Sequence, residues 1–408
     1  MVDAGLLRRR SQYRVLFFAQ TVSLLGTMVT NVAVPYQVYV ATRSSLAVGL
    51  LGAAELIPAV VLALLGGALA DAHDRRRLVQ ASEAALGICS ILLALNAFFG
   101  FGVWPLYLIV IATSGLDALQ RPPLDAVVPR LVEREEIPVA AGLGSFRSTL
   151  MMVVGPALGG VLIASFGLTV TYAFDAVTFV VSLALLSRLR AVLPPDPAPA
   201  DVRRVLEGLR YALQRKDLLG TYLVDWVAMV FGMPSALFPA LASAYGGAGV
   251  LGIFYAAPAF GAMLASATSA WTTRVQHHGR AIVFAALIWG VAIAAAGVWK
   301  GLWVILACLA VAGAADMISG VFRSTIWNQS VPDALRGRLA GIEYISYATG
   351  PSIGNVEAGA VAAAFGARIS IISGGLLCVV AVVGVAFGLP ALWRYRSENG
   401  ASHATAPA

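Results

Sequence analysis

Two rows of charged residues stand in otherwise apolar sequence. Asp117, Arg121 and Asp125 recur at i, i+4 and i+8, a spacing that puts all three on one face of a helix. Asp316 and Arg323 are two helical turns apart, with Asn328 beyond them. Glu55, Glu83, Asp175, Asp225, Glu343, Glu357 and the lone Arg147 are single ionisable residues in similar surroundings. Water-free surroundings make an ionised side chain expensive, so such groups take up protons, pair with one another or meet a solute.

The elements that must position them follow from composition. The chain has 408 residues, 59% hydrophobic and 12% charged, with a mean hydropathy of +0.82. Soluble domains carry about 25% charged residues, so this chain is neither an ordinary soluble enzyme nor a disordered one. Apolar runs that can span a bilayer cover 14–40, 46–70, 79–102, 104–128, 139–165, 168–188, 218–244, 248–271, 281–299, 302–328, 339–364 and 369–393. Their lengths and the absence of period-two alternation indicate helices rather than barrel strands.

Of the 28 basic residues, 24 fall in the segments that lie inside when both termini are cytoplasmic. Arg43, Lys300 and Arg368 fall outside, and Arg147 lies within a span. The net charge of +7 is therefore a topology signal, not a nucleic-acid footprint. The N-terminal run reads as an uncleaved first helix. Cys89, Cys308 and Cys378 all lie in spans, which argues against a disulfide framework. His73, His277, His278 and His403 read as loop or tail residues, with no metal-ligand spacing. No cofactor is expected. No phosphate loop, H-E-x-x-H or G-x-S-x-G occurs, which excludes an ATP-driven pump in one chain and gives no support to an intramembrane enzyme.

The expected architecture is all-α: twelve transmembrane helices in two pseudo-symmetric six-helix bundles. The N-terminal bundle covers 1–188, a cytoplasmic linker 189–217, the C-terminal bundle 218–393 and a cytoplasmic tail 394–408. The linker holds four prolines and then an amphipathic stretch, Val202–Arg215, suited to lipid headgroups or to a simple hinge. The halves echo each other. Val128-Pro129 matches Val331-Pro332, and Gly155-Pro156-Ala157-Leu158-Gly159-Gly160 matches Gly350-Pro351-Ser352-Ile353-Gly354-Asn355. Such repeats flanking a midplane site are common in secondary transporters.

These residues resemble the major facilitator superfamily. Gly67, Asp71 and Arg75–Arg77 are similar to its loop motif, with Asp74 where a second glycine is expected, and Gly155-Pro156 through Gly159 to the antiporter motif of drug exporters. The stretches 117–129, 208–211 and 331–338 resemble the branch containing enterobactin and macrolide exporters. The resemblance implies that spans 1, 4, 7 and 10 line a central cavity. It implies a gating role for Gly67, Asp71, Arg75, Arg76, Gly155, Pro156 and Gly159, with Asp71 and the arginines forming a cytoplasmic latch.

A proton-linked solute site formed by Glu55, Asp117, Arg121, Asp225, Asp316 and Arg323 is one reading of the charges; ion pairs that hold helices in register are the other. The proton-linked role is preferred for Asp117 and Asp316, a structural or gating role for Arg121, Asp125 and Arg323. Glu55 lies about 14 Å into its span, near the midplane. Arg147 is expected to pair with a carboxylate on a neighbouring helix, and Glu83 and Asp175 to serve packing or helix ends. The stripe Glu343, Tyr347, Gly350, Gly354 and Glu357 reads as a packing seam. The leading function is a proton-coupled exporter (antiporter) of a small amphipathic molecule, a drug or siderophore, working by alternating access as a monomer in the cytoplasmic membrane. Its partners are the small-molecule substrate, protons and the lipid bilayer. An importer or uniporter, and a non-transporting receptor or assembly protein, are the alternatives.

Overall fold

The computed structural model describes residues 5–190, 215–331 and 333–396, with the backbone alone at 63–72, 217 and 333–348. The helix expected over 202–215 and much of the linker and tail fall outside these residues, as do the side chains of Gly67, Asp71, Glu343 and Tyr347. Regular structure among the described residues is helical. In chain order the helices are α1 Gly5–Arg9, α2 Ser11–Thr42, α3 Ser45–Ala72, α4 Arg75–Phe99, α5 Trp104–Leu131, α6 Ile137–Leu186 and α7 Lys216–Gly232. Then come α8 Phe238–Tyr245, α9 Ala248–Ala267, α10 His278–Val298, α11 Leu302–Ser330, α12 Asp333–Phe365, α13 Ala367–Gly388 and α14 Pro390–Trp393.

Nine helical stretches among the described residues are long and apolar enough to cross a membrane. α6 counts there as one, yet it is two helices. Gly167 sits inside it at φ 76, ψ 176, a backbone region open essentially to glycine alone. Along α2, Tyr13 bonds to Ala140, Arg147 sits over Phe17, and Gly159 abuts Val29, so the first part of α6 rises with α2. The second part descends: Tyr172 reaches Gln37, Asp175 meets Thr30, and Ser182 shares Glu83 with Ser23. The chain therefore reverses at Gly167.

A second break divides the run 218–244. Pro234 disfavours helical backbone at the residue before it, and Met233 is extended at φ −95, ψ 101. The chain resumes through a 3₁₀ turn at Ser235–Leu237 into α8.

The contacts sort the chain into two units, Met1–Ala200 with Ser235–Ala256, and Asp201–Pro234 with Ala257–Ala408. The break at Pro234 is thus also a change of unit, and α9 is shared between them. In the first unit, Leu16, Ala19, Val79, Val127, Leu186 and Leu189 join four helices in one buried cluster. In the second, packing relies on backbone approach: a Cβ at Gly375 would stand 2.8 Å from Ala294 Cα, and one at Gly350 3.0 Å from Met229 Cβ. Large apolar side chains such as Ile57, Leu108, Phe98, Val180 and Phe387 are exposed, as suits surfaces that face hydrocarbon. Phe99, Phe101, Trp104 and Tyr107 cluster around the α4–α5 turn, in the manner of a membrane-interface belt.

Candidate functional site

In the first unit the charged face of α5 is exposed. Arg121 Nε lies 3.9 Å from Asp117 Oδ2, and the two side chains are 62% and 55% exposed. Asp125 is within electrostatic reach of the same guanidinium. Gly115 lets α5 close onto Pro58 and Leu62 of α3, and Ser114 Oγ donates to the Glu55 carbonyl at 2.8 Å. That packing holds Glu55, itself exposed, within electrostatic reach of Asp117 and of the Tyr255 hydroxyl. Asp117 and Asp125 thus share the neighbourhood of Arg121, with Glu55 beside Asp117. A charge so placed within a span must meet water or a solute, because lipid does not solvate it.

In the second unit the charges are brought together differently. Arg323 on α11 ion-pairs through Nη1 with Asp225 on α7, and its Nη2 donates to Asp316 Oδ1 at 3.4 Å. Asp225 is 6% exposed and Asp316 41%. One turn away, Trp327 Nε1 donates to the Tyr222 hydroxyl at 3.0 Å and fixes the same helix pair. Asp225, for which the sequence leaves a proton-linked site and a structural ion pair both open, is paired with the Arg323 guanidinium. Asp316 is the open carboxylate of this group.

The residues expected to gate fall in the first unit. A Cβ on Gly155 would strike Met28, and one on Gly159 would stand 3.1 Å from the Val29 carbonyl, so both permit α6 to press on α2. On the other side Gly160 and Gly252 of α9 cross almost backbone to backbone, with a Cβ on Gly160 only 2.9 Å from Gly252 Cα. Pro156, which forfeits one helix hydrogen bond, offers its carbonyl to the same crossing. Arg75 is buried and donates to the Ala126 carbonyl at 3.3 Å, while Arg76 donates to Ser187 at 2.8 Å. Arg76 thus caps the C-terminal end of α6, where a cation complements the helix dipole, and Arg75 ties α4 to α5, both within one unit. Gly67 and Asp71 lie on the last turns of α3.

Three features differ from the sequence reading or escape it. Arg147 has no carboxylate partner among the described residues; it lies 5.9 Å over the Phe17 ring near Tyr13, because aromatic residues occupy that side of α2. His278 is buried against Phe322 and Tyr395 rather than in an open loop. Most telling, Glu83 and Asp175 are 0% and 2% exposed, each held by residues from three helices. The seven-residue spacings Ser23/Thr30, Glu83/Ser90 and Asp175/Ser182 are the signal that could have revealed them.

Charged side chains left exposed on long apolar helices are the build of a multi-pass membrane protein. Comparison with known proteins gives the class its family. The chain belongs to the transmembrane secretion effector family, whose profile matches residues 7–407, and is a major facilitator transporter of the enterobactin exporter branch. It is 28% identical over 375 residues to the enterobactin exporter EntS of Shigella boydii and to that of Escherichia coli, covering 89% of this chain and 88% of each. Among solved structures it shares the fold of the peptide transporter POT, with TM-score 0.78 at 11% identity, over 95% of this chain and 96% of that one. The nucleoside transporter NupG superposes with TM-score 0.77 at 12% identity, over 94% of this chain and 99% of that one.

Proposed function

We propose that the chain is a proton-driven exporter of a small amphipathic molecule, a siderophore or a drug, and that it works by alternating access. The carrying observation is the exposed Asp117–Arg121 pair, with Glu55 and Asp125 beside it, on helices otherwise fit for hydrocarbon. In this reading the chain has twelve spans in two six-helix bundles, 1–188 and 218–393, with both termini cytoplasmic, and functions as a monomer in the cytoplasmic membrane. The division of α6 at Gly167 supports the span count. Asp117 and Glu55 exchange protons; Asp316 is the second solute-facing acid; Arg121, Arg323 and Asp225 orient their partners. Gly155, Pro156 and Gly159 let α6 move, and Gly67, Asp71, Arg75 and Arg76 belong to the cytoplasmic latch. Similarity to enterobactin exporters favours export.

The test is flux in proteoliposomes under an imposed pH gradient, with enterobactin as the probe. One proton is worth about 2.3 kcal/mol per 100 mV, which sustains about a fifty-fold solute gradient. The wild type should respond to the gradient, and Glu55→Gln or Asp117→Asn should lose that response. A wild type indifferent to the gradient removes antiport, and unchanged transport in both variants removes the assignment of these two acids.

A further inference from the structure

Two carboxylates of the first unit take no part in the exposed site. Glu83 on α4 and Asp175 on the second part of α6 are enclosed by α2, α4 and α6, each about 12 Å from the nearest end of its own helix segment. They form two layers. In one, Glu83 accepts from Ser23 Oγ of α2 at 3.0 Å, Ser182 Oγ of α6 at 3.2 Å and Gln20 Nε2 at 3.1 Å. In the other, Asp175 lies 2.7 Å from Thr30 Oγ1 of α2 and 2.7 Å from Ser90 Oγ of α4. The pairs Ser23/Thr30 on α2, Glu83/Ser90 on α4 and Ser182/Asp175 on α6 link the two layers, each seven residues apart, or about 10.5 Å along the axis. The acid comes from α4 in one layer and from α6 in the other. Gly26 makes room, since any Cβ there would strike Thr178 and Asp175.

Neither acid is ion-paired with an arginine, lysine or histidine among the described residues. From α5, the element also packed on α4, the polar side chain on this side is Gln120, which is neutral. The other titratable neighbours are Tyr172, whose hydroxyl donates to Gln37 at 2.7 Å, and buried Cys89 on α4. A buried carboxylate without a counter-charge costs several kcal/mol and is relieved by taking up a proton. The partners suit that exchange. A hydroxyl both donates and accepts, whereas a guanidinium only donates. Serine and threonine can therefore serve either protonation state, which Arg323 cannot do for Asp225. Ser90 makes the point by counting: its Oγ lies 3.2 Å from the Leu86 carbonyl and 2.7 Å from Asp175 Oδ2, yet it owns one proton. A protonated Asp175 would supply the second.

We propose that Glu83 and Asp175 are proton-binding sites in the α2–α4–α6 core, separate from the exposed Glu55–Asp117 site, and that their loading and unloading is part of the transport cycle. The part in the cycle rests on the proton-driven reading above; the proton binding does not. Each step adds one proton from water to a carboxylate, turning a charge of −1 into a neutral acid, with no other bond made or broken.

The experiment is an infrared titration of the full-length protein in detergent, which reads the carbonyl stretch of protonated carboxylic acids. Wild type should show bands that shift in D₂O and fall as pH rises; Glu83→Gln and Asp175→Asn should each delete one component. A wild type with no titrating acid band overturns the proposal without needing any variant to fold, and folded variants that delete no component overturn it as well. In proteoliposomes with enterobactin, Glu83→Gln should lose the response to the pH gradient by about tenfold or more while keeping the melting temperature of the wild type. Glutamine reproduces the hydrogen bonds of a neutral acid, so a wild-type pH profile in that variant means the acid is merely structural. If wild-type flux ignores the gradient while the bands titrate, the proton-driven reading fails and the binding sites stand. If flux follows the gradient and the bands are missing, the binding sites fail alone.

Discussion

The two units bury acid groups by opposite means. In the first, Glu83 and Asp175 sit among hydroxyls and an amide that can turn around. In the second, Asp225 is locked to Arg323, which stays charged and can only donate hydrogen bonds. Where the first unit packs α2, α4 and α6 through polar layers, the second brings α10 and α13 together through Gly290, Ala294 and Gly375. The difference separates acids that can change charge from one that is fixed. It assigns titration to the first unit and rigidity to the Asp225–Arg323 clamp.

The sharpest way to break this contrast is to remove the guanidinium. Arg323→Met leaves Asp225 buried and alone, and should cost about 3–5 kcal/mol of stability, read as a large fall in the detergent melting temperature. Replacing Asp225 by leucine in the same chain should recover most of it, because an apolar pair needs no counter-charge. Recovery failing, the clamp does more than neutralise. Next in size is Gly26→Val, which forces side-chain volume onto Thr178 and should cost about 1–3 kcal/mol; an unchanged melting temperature would mean that the polar layers are loosely held. Asp117→Asn should shift stability by no more than about 0–1 kcal/mol, since an exposed pair contributes little, and yet abolish gradient-driven transport. A stability loss comparable to that of Arg323→Met would make α5 a second clamp and dissolve the comparison.

The smallest effect lies at the edge of the second unit. Arg396 Nε donates to His277 Nε2 at 2.9 Å, which requires a neutral imidazole. Loss of hydration, with help from Arg396 and Arg280, holds His277 below the ordinary histidine range. Its contribution is therefore complete above the unfolded value near about 6.5 and disappears as the pH falls through the depressed folded value. His277→Asn should flatten that limb of the melting temperature–pH curve slightly; an equally steep limb in the variant would assign the dependence elsewhere.

Much of the frame was legible in the chain. Apolar run length placed the first span at 14–40, observed as Ser11–Thr42, and the tenth at 302–328, observed as Leu302–Ser330. The Asp117/Arg121/Asp125 face was legible because its spacing is local to one helix. Pairing was not. Asp225 and Arg323 are about a hundred residues apart, and nothing along the chain says that one clamps the other. The partner of Arg147 was misjudged for the same reason: a ring on α2 occupies the place expected for a carboxylate. The break at Met233–Pro234 could have been read from the proline, but the apolar run continues across it. Single acids near helix ends commonly serve packing, and along the chain Glu83 and Asp175 look no different; their shared seven-residue register emerges only when three helices are laid side by side.

Gly167 carries a last consequence. One glycine stands in for a connecting loop in the stretch Ile137–Leu186, and the bend it makes is short and exposed, with Phe166 64% accessible and open space around Gly167. Any alanine at that position must distort the bend itself, so the two arms are expected to enter the bilayer as one hairpin and to tolerate no lengthening at its tip.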